Sequence, residues 1–188
     1  MSSAVGISFL ILEVVFITLA LLMILQMGVQ RLESSIGIMR DGFPPGKAAP
    51  KWSLPDLMGQ MRKTPTGSQW QLLIFVDHTL VSFPELSTEI NQFSMATPEL
   101  EVLVVSRDDM RLCVATQEIL NLQVPIVPVD QSFYERYRVR IMPFVMFLDP
   151  LGTVYSAGLV NNVAQLFNTW KMVQATAHDE DISEEVIG

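Results

Sequence analysis

The chain of 188 residues contains a single cysteine, Cys113. One thiol cannot close an internal disulfide, and it cannot supply a metal site made of several cysteines. We therefore predict no metal and no cofactor. The apolar neighbours Leu112 and Val114 indicate a helix with Cys113 on its buried side, where a free cysteine behaves as a small hydrophobic residue.

Positive charge is scarce, because 12 Lys and Arg residues stand against 20 Asp and Glu residues and leave a net charge of −8. The sequence shows no basic stripe, which excludes nucleic acid as a partner. Acidic residues are dense near the carboxyl end, at Asp179, Glu180, Asp181, Glu184 and Glu185. We predict that residues 177–188 form an acidic, disordered tail.

One long apolar run, residues 5–29, is interrupted by Glu13, Gln26 and small or hydroxyl residues. A bilayer span needs roughly 20 such residues, and no basic region or cleavage site marks this run as a signal peptide. We predict an uncleaved transmembrane helix, with the lipid bilayer as a partner. Glu13 either lies near the amino-terminal interface, or is protonated, or contacts a helix of a partner membrane protein.

The charges around this run bear on its orientation. No Lys or Arg precedes it, whereas Arg31, Arg40, Lys47 and Lys51 follow it. The positive-inside rule therefore favours a cytoplasmic position for the rest of the chain.

The remainder of the chain divides into a linker and one domain. Residues 30–47 end in a stretch rich in Gly and Pro, which predicts a semi-extended linker. Residues 48–176 have the size of a single domain. Within them we predict strands near Trp52 and at 71–76, 101–105, 144–148 and 153–158. Helices are predicted at 83–93, 111–121 and 162–175, which together indicate an α/β fold.

Two motifs in this domain carry a resemblance to a known family. Residues 49–59 read A-P-K-W-S-L-P-D-L-M-G, and residues 141–152 read I-M-P-F-V-M-F-L-D-P-L-G. Together they resemble the opening segment and the cis-proline strand, with its D-x-x-G hairpin, of membrane-anchored thioredoxin-like redoxins of the TlpA type. The resemblance implies a three-layer thioredoxin-like α/β domain in which Pro143 is the cis-proline.

A closer resemblance covers nearly the whole chain. Residues 28–33 read G-V-Q-R-L-E at the end of the apolar run, and residues 157–166 read A-G-L-V-N-N-V-A-Q-L. These segments are similar to the thioredoxin-like accessory proteins of methylamine utilisation, which are implicated in forming the disulfides of the methylamine dehydrogenase small subunit. The resemblance implies an inner-membrane protein with a periplasmic domain, against the charge rule, and a periplasmic dehydrogenase subunit as its client.

The loop after the first buried strand departs from that family, which carries S-P-T-C-P-x-C there. Thr79 matches the family, but Leu80 and Phe83 occupy the two cysteine positions, with Val81 and Ser82 between them. Leucine and phenylalanine cannot exchange a disulfide, because that reaction needs a thiolate. We therefore predict a degenerate active-site loop, without dithiol chemistry.

The helix start behind this loop is still well specified. Ser82, Pro84 and Glu85 form a capping pattern that satisfies free amide groups in the first turn. Leu80, Val81 and Phe83 would then form an exposed apolar patch, unless they pack inward.

The second candidate site is the backbone edge at Met142, Pro143 and Phe144. We predict that this edge pairs with an extended segment of a partner, as in strand addition. The alternative is a rigid turn that serves only folding. Asp77 and His78, by contrast, are adjacent on a strand and point to opposite faces, so we predict a loop cap and no nucleophilic dyad with Thr79.

Three functions follow from these observations. The first is a membrane-anchored accessory protein, without redox activity, that binds a client along Met142–Phe144 and the loop. The second is a residual thiol oxidoreductase that uses Cys113. The third is a structural subunit that Glu13 holds within a larger membrane complex. The missing cysteine pair favours the first, which is not an enzyme.

Overall fold

The computed structural model describes residues 41–78, 84–160 and 163–185. The predicted span at 5–29, with Glu13, lies outside these ranges, as do the loop residues from Thr79 to Phe83. Within the described ranges, none of the helices has the length and apolar character needed to cross a bilayer. The described residues all belong to one unit of the chain, which begins at Asp41.

Seven strands and four helices make up the described part of the chain. The strands are β1 (Trp52–Pro55), β2 (Met61–Thr64), β3 (Trp70–Val76), β4 (Leu100–Ser106), β5 (Ile126–Pro128), β6 (Phe144–Leu148) and β7 (Val154–Leu159). The helices are α1 (Pro84–Ala96), α2 (Met110–Ile119), α3 (Gln131–Tyr137) and α4 (Val163–Glu185). The predicted strands at 71–76, 101–105, 144–148 and 153–158 are confirmed as β3, β4, β6 and β7.

The strands form two sheets. β1 and β2 pair as an antiparallel hairpin, and the other five strands follow the order β5-β4-β3-β6-β7. β3, β4 and β5 are parallel, whereas β6 and β7 are antiparallel to their neighbours. β3 is the central strand, so the residues that follow it lie in the middle of one end of the sheet.

Apolar side chains cover both faces of this sheet, which explains why its inner strands read as continuous apolar runs. One face packs against α1, α2 and α4, whose core residues include Phe93, Cys113 and Trp170. The other face packs against α3, β1 and the first described residues, around the ring of Phe75. Four aromatic rings surround Phe75, those of Phe133, Tyr134, Tyr137 and Phe144.

Three elements, β2, β5 and α3, are not predicted from the sequence. β2 reads M-R-K-T, β5 has three residues and α3 has seven. Elements this short carry too few residues for a periodic apolar pattern. The local sign of α3 is its cap, because the carboxylate of Asp130 accepts a hydrogen bond of 2.9 Å from the Phe133 N–H.

The last helix, α4, continues to Glu185 and so includes most of the segment predicted as a disordered tail. The first turns of α4 pack against the sheet through three buried side chains, those of Leu166, Trp170 and Val173. Once these turns are fixed by packing, each further residue adds one hydrogen bond at little cost, so the helix propagates into the acidic segment.

Residues 41–43, predicted as part of a linker, pack against the domain; we call them the strap. The Gly42 N–H donates to the Arg138 carbonyl at 2.8 Å, and the Asp41 carboxylate binds Arg140 at 2.7 Å. The ring of Phe43 lies under the Arg138 guanidinium, 5.2 Å from it. The strap is therefore held by a hydrogen bond, an ion pair and an aromatic contact.

Gly42 sits where only glycine fits. Its φ is +76°, and a Cβ built on it would lie 2.6 Å from Cζ of the buried Phe144 ring. Any other residue would be strained in the left-handed backbone conformation, and its Cβ would clash with this ring. Composition alone predicts a loop here, but this contact is visible only in the fold.

Asp56, directly after β1, holds the hairpin together and is nearly buried. Its carboxylate accepts hydrogen bonds of 2.9 Å from the N–H groups of Met58 and Gln60 and from Nε of Arg62. Burial opposes ionisation, but these hydrogen bonds outweigh it, so the pKa of Asp56 is lowered from its ordinary value.

A pH dependence of stability follows from Asp56. Because its pKa is lower in the folded state, its contribution is present above the unfolded value of about 4 and is lost as pH falls through the folded value. We expect Asp56→Asn to lower the free energy of unfolding by about 1–2 kcal/mol at pH 7, and less at pH 3. Urea unfolding at the two pH values measures this, and an equal loss at both would contradict it.

Candidate functional site

The candidate site lies at one end of the five-stranded sheet, which we call the cis-proline end. β3 and β4 finish there, β6 begins there because Phe75 pairs with Phe144, and β7 ends there because Phe144 pairs with Leu159. The topology therefore brings together residues far apart in sequence, including Asp77, Arg107 and Met142.

The Met142–Pro143 peptide bond is cis. Within the ranges that the structure describes, neither the N–H nor the C=O of Met142 makes a backbone hydrogen bond, whereas the Pro143 carbonyl accepts one of 3.4 Å from Val160. Ile141 is 55% exposed. The main chain at Met142 therefore offers a donor and an acceptor beside an exposed apolar side chain.

Phe144, the third residue of the predicted edge, has a different position. It is buried and lies in β6, between Phe75 of β3 and Leu159 of β7. A residue with strands on both sides cannot accept a further strand. The backbone available for a partner is therefore that of Met142.

The other predicted site residues, Thr79, Leu80, Val81, Ser82 and Phe83, lie outside the described residues. The helix that follows them begins at Pro84. This start agrees with the proline predicted in its first turn.

Asp77, directly after β3, is buried and bound to Arg107, with 2.9 Å between Oδ2 and Nη2. Nη1 of Arg107 donates to the Gln131 side chain at 3.2 Å, and its guanidinium lies 5.5 Å from the centre of the Tyr134 ring. Arg107 thus connects the ends of β3 and β4 to α3. The sequence does not predict this contact, because its partners are 30 residues apart.

Tyr134 also connects α3 to the ends of β3 and β4. Its hydroxyl lies 2.6 Å from the Val76 carbonyl and 2.8 Å from the Val105 carbonyl, at the ends of β3 and β4. Burial raises the pKa of Tyr134 far above its ordinary value. The hydroxyl therefore stays protonated and acts as a hydrogen-bond donor to these strand ends.

His78 and Asp77 contact different residues. The Nδ1 atom of His78 lies 3.3 Å from the carboxylate of Asp108, which also accepts a hydrogen bond of 3.0 Å from the buried Ser106 hydroxyl. The carboxylate lies between the serine and the histidine, so histidine cannot act as a base on that hydroxyl. The described residues contain no group of acidic, histidine or cysteine side chains that could hold a metal ion.

Cys113 is buried on α2, as predicted, at 1% exposure. Burial raises the pKa of its thiol, the charges of Asp108 and Asp109 raise it further, and a hydrogen bond with Ser106 opposes them. Thiol reactivity needs an accessible thiolate, and this residue has neither access nor charge.

Solved structures identify the architecture. The thioredoxin domain of a thiol-disulfide oxidoreductase from Bacteroides vulgatus matches with a TM-score of 0.62 at 16% identity, over 70% of this chain and 98% of its own. The fold is thioredoxin-like. A thiol-disulfide oxidoreductase from Bacteroides fragilis matches with a TM-score of 0.59 at 19% identity, over 68% of this chain and 99% of its own.

A third similar structure is StoA from Bacillus subtilis, with a TM-score of 0.56 at 16% identity, over 66% of this chain and 98% of its own. No family model and no curated protein sequence matches the chain. Identities this low show the fold alone. The chain has the scaffold of these proteins together with a single cysteine, which lies on α2.

Proposed function

We propose that this protein is a membrane-anchored accessory protein that uses a thioredoxin-like domain to bind a client, without redox chemistry. The predicted span at 5–29 provides the anchor. The client, by resemblance, is the small subunit of methylamine dehydrogenase during its assembly. The domain then recognises an extended segment of the client and leaves its sulfur chemistry to other proteins.

The observation that carries this proposal is the main chain of Met142, whose N–H and C=O make no backbone hydrogen bond within the described residues. An extended client segment gains two backbone hydrogen bonds there, and its side chains contact Ile141 and the half-buried Met142. The loop residues Leu80, Val81 and Phe83 add apolar contacts in this proposal. Burial of Cys113, with its raised pKa, argues against a residual thiol oxidoreductase.

The main-chain donor of Met142 can be tested by a matched pair of variants. Met142→Pro removes the N–H, whereas Met142→Leu keeps it with a side chain of similar size. We expect Met142→Pro to weaken capture of the dehydrogenase small subunit about ten-fold, because one net hydrogen bond is worth about 1–1.5 kcal/mol. Met142→Leu should bind like the wild type. Capture is measured by titration with the purified, full-length protein in detergent.

Two results would contradict the proposal. Equal affinities for Met142→Pro and Met142→Leu, at equal thermal stability, would show that the main-chain N–H of Met142 does not bind the client. Co-purification that persists without residues 48–188, and that is lost when the anchor is replaced, would assign the interaction to the anchor and favour a structural subunit.

A further inference from the structure

The chain enters the domain beside the cis-proline. Asp41, the first described residue, is bound to Arg140 at 2.7 Å, and Gly42 donates to the Arg138 carbonyl at 2.8 Å. Arg140 directly precedes Ile141 in the sequence. The 40 residues before Asp41, which include the predicted span, therefore end at this corner of the domain.

Arginine and apolar side chains are exposed at this corner. Arg138 and Arg140 are exposed, and so are Ile141, at 55%, and Leu159, at 36%. We call these four residues the arginine corner. Leu159 belongs to it because it pairs with Phe144, three residues after Ile141, at the same end of the sheet.

At the arginine corner the arginine side chains are exposed, whereas the carboxylate that binds Arg140 is largely buried. The side chain of Asp41 is 9% exposed, whereas that of its partner Arg140 is 67% exposed. Arg138 lies over the ring of Phe43, which holds its guanidinium in place. In a chain of net charge −8, this combination of exposed arginine and exposed apolar side chains favours an anionic surface with an apolar interior. The headgroup region of a bilayer has this chemistry.

Chain length places the corner within reach of such a surface. Residues 30–40 separate the predicted span from Asp41, and a chain extends by at most about 3.6 Å per residue. The arginine corner can therefore lie no further than about 40 Å from the bilayer surface.

We propose that the arginine corner binds the anionic headgroup surface of the membrane, an inference that rests on the anchoring in the proposed function. Arg138 and Arg140 bind lipid phosphates, while Ile141 and Leu159 enter the boundary with the acyl chains. The open main chain of Met142 then faces the membrane surface. The client segments that it binds therefore lie at the bilayer surface.

Fluorescence quenching in nanodiscs tests this contact. The full chain, with Cys113→Ser to leave one label site, carries a fluorophore at Ile141→Cys or, as control, at Leu151→Cys. Leu151 is 76% exposed and lies in the turn between β6 and β7, at the opposite end of the sheet. Spin-labelled headgroups in discs that contain phosphatidylglycerol should quench the label at 141 several-fold more than the label at 151.

Lipid charge and the two arginines should both matter. Discs of phosphatidylcholine alone, or Arg138→Gln with Arg140→Gln, should lower the equilibrium constant for contact between the domain and the membrane roughly 30-fold, since each of the two arginines near an anionic surface contributes about five-fold. Equal quenching at 141 and 151, or quenching that ignores lipid charge, would overturn the inference. A chain that fails to co-purify with discs would instead refute the anchoring in the proposed function.

Discussion

Replacing Gly42 by alanine is expected to lower the free energy of unfolding by about 3 kcal/mol. About 1 kcal/mol comes from holding a residue with a Cβ in the left-handed region. The rest comes from the 2.6 Å approach of that Cβ to the buried Phe144 ring, because forcing an atom into a packed core costs about 1–3 kcal/mol. Urea unfolding followed by tryptophan fluorescence measures the change.

Gly46→Ala is the matched control for Gly42→Ala. Gly46 has a φ of +81° and also donates its N–H to a carbonyl, but no heavy atom lies within 4 Å of its ideal Cβ position. The free energy of unfolding of Gly46→Ala should therefore fall by only about 1 kcal/mol, the cost of the left-handed conformation. Equal losses in the two variants would show that the strap does not pack against Phe144.

Removing the side chain of Arg107 is expected to destabilise the domain by about 2–3 kcal/mol. Arg107→Ala takes the guanidinium from the Asp77 carboxylate, which is 6% exposed, and breaking a buried ion pair costs about 3–5 kcal/mol. The arginine itself is 33% exposed, so water partly screens the pair and the expected loss is smaller. Urea unfolding again measures this loss.

A double-mutant cycle isolates the contact between the two charges. The double variant with Asp77→Asn and Arg107→Ala should lose clearly less free energy of unfolding than the two single variants together, because a neutral amide at position 77 is not stabilised by a nearby cation. Arg136→Ala serves as a control, since this exposed arginine contacts the Phe133 ring at 5.3 Å and should change stability by less than about 0.5 kcal/mol. Additive losses would mean that Arg107 acts independently of Asp77.

The fold could be predicted from the sequence where side chains are buried on both faces. β6 has the predicted bounds, Phe144–Leu148, because its five residues are all buried. β5 could not be found, because its three residues, which follow one proline and end in another, carry no periodic pattern. At the strap the sequence predicts a linker, because Gly and Pro are typical of loops. The contacts of the strap with Arg138 and Phe144 form only in the folded domain.

The candidate site was predictable in part. The position of Pro143 came from a resemblance, and its peptide bond is cis. That Phe144 is internal to the sheet depends on the order of the strands, which the predicted strands do not reveal by themselves. The same order leaves the main chain of Met142 without a backbone hydrogen bond within the described residues. The contact between Asp77 and Arg107 depends on strand order as well, since Asp77 follows β3, Arg107 follows β4, and these two strands are neighbours in the sheet.

The central claim is that this thioredoxin-like domain recognises a client without sulfur chemistry. Client capture by Cys113→Ser tests it most directly, because the serine hydroxyl can replace the contact of 3.5 Å that the thiol makes with the Asp108 carbonyl. We expect the proposed client, the dehydrogenase small subunit, to bind this variant within about two-fold of the wild-type affinity. If a stably folded Cys113→Ser protein lost affinity for the client ten-fold or more, the claim would be contradicted, because the thiol would then take part in client binding.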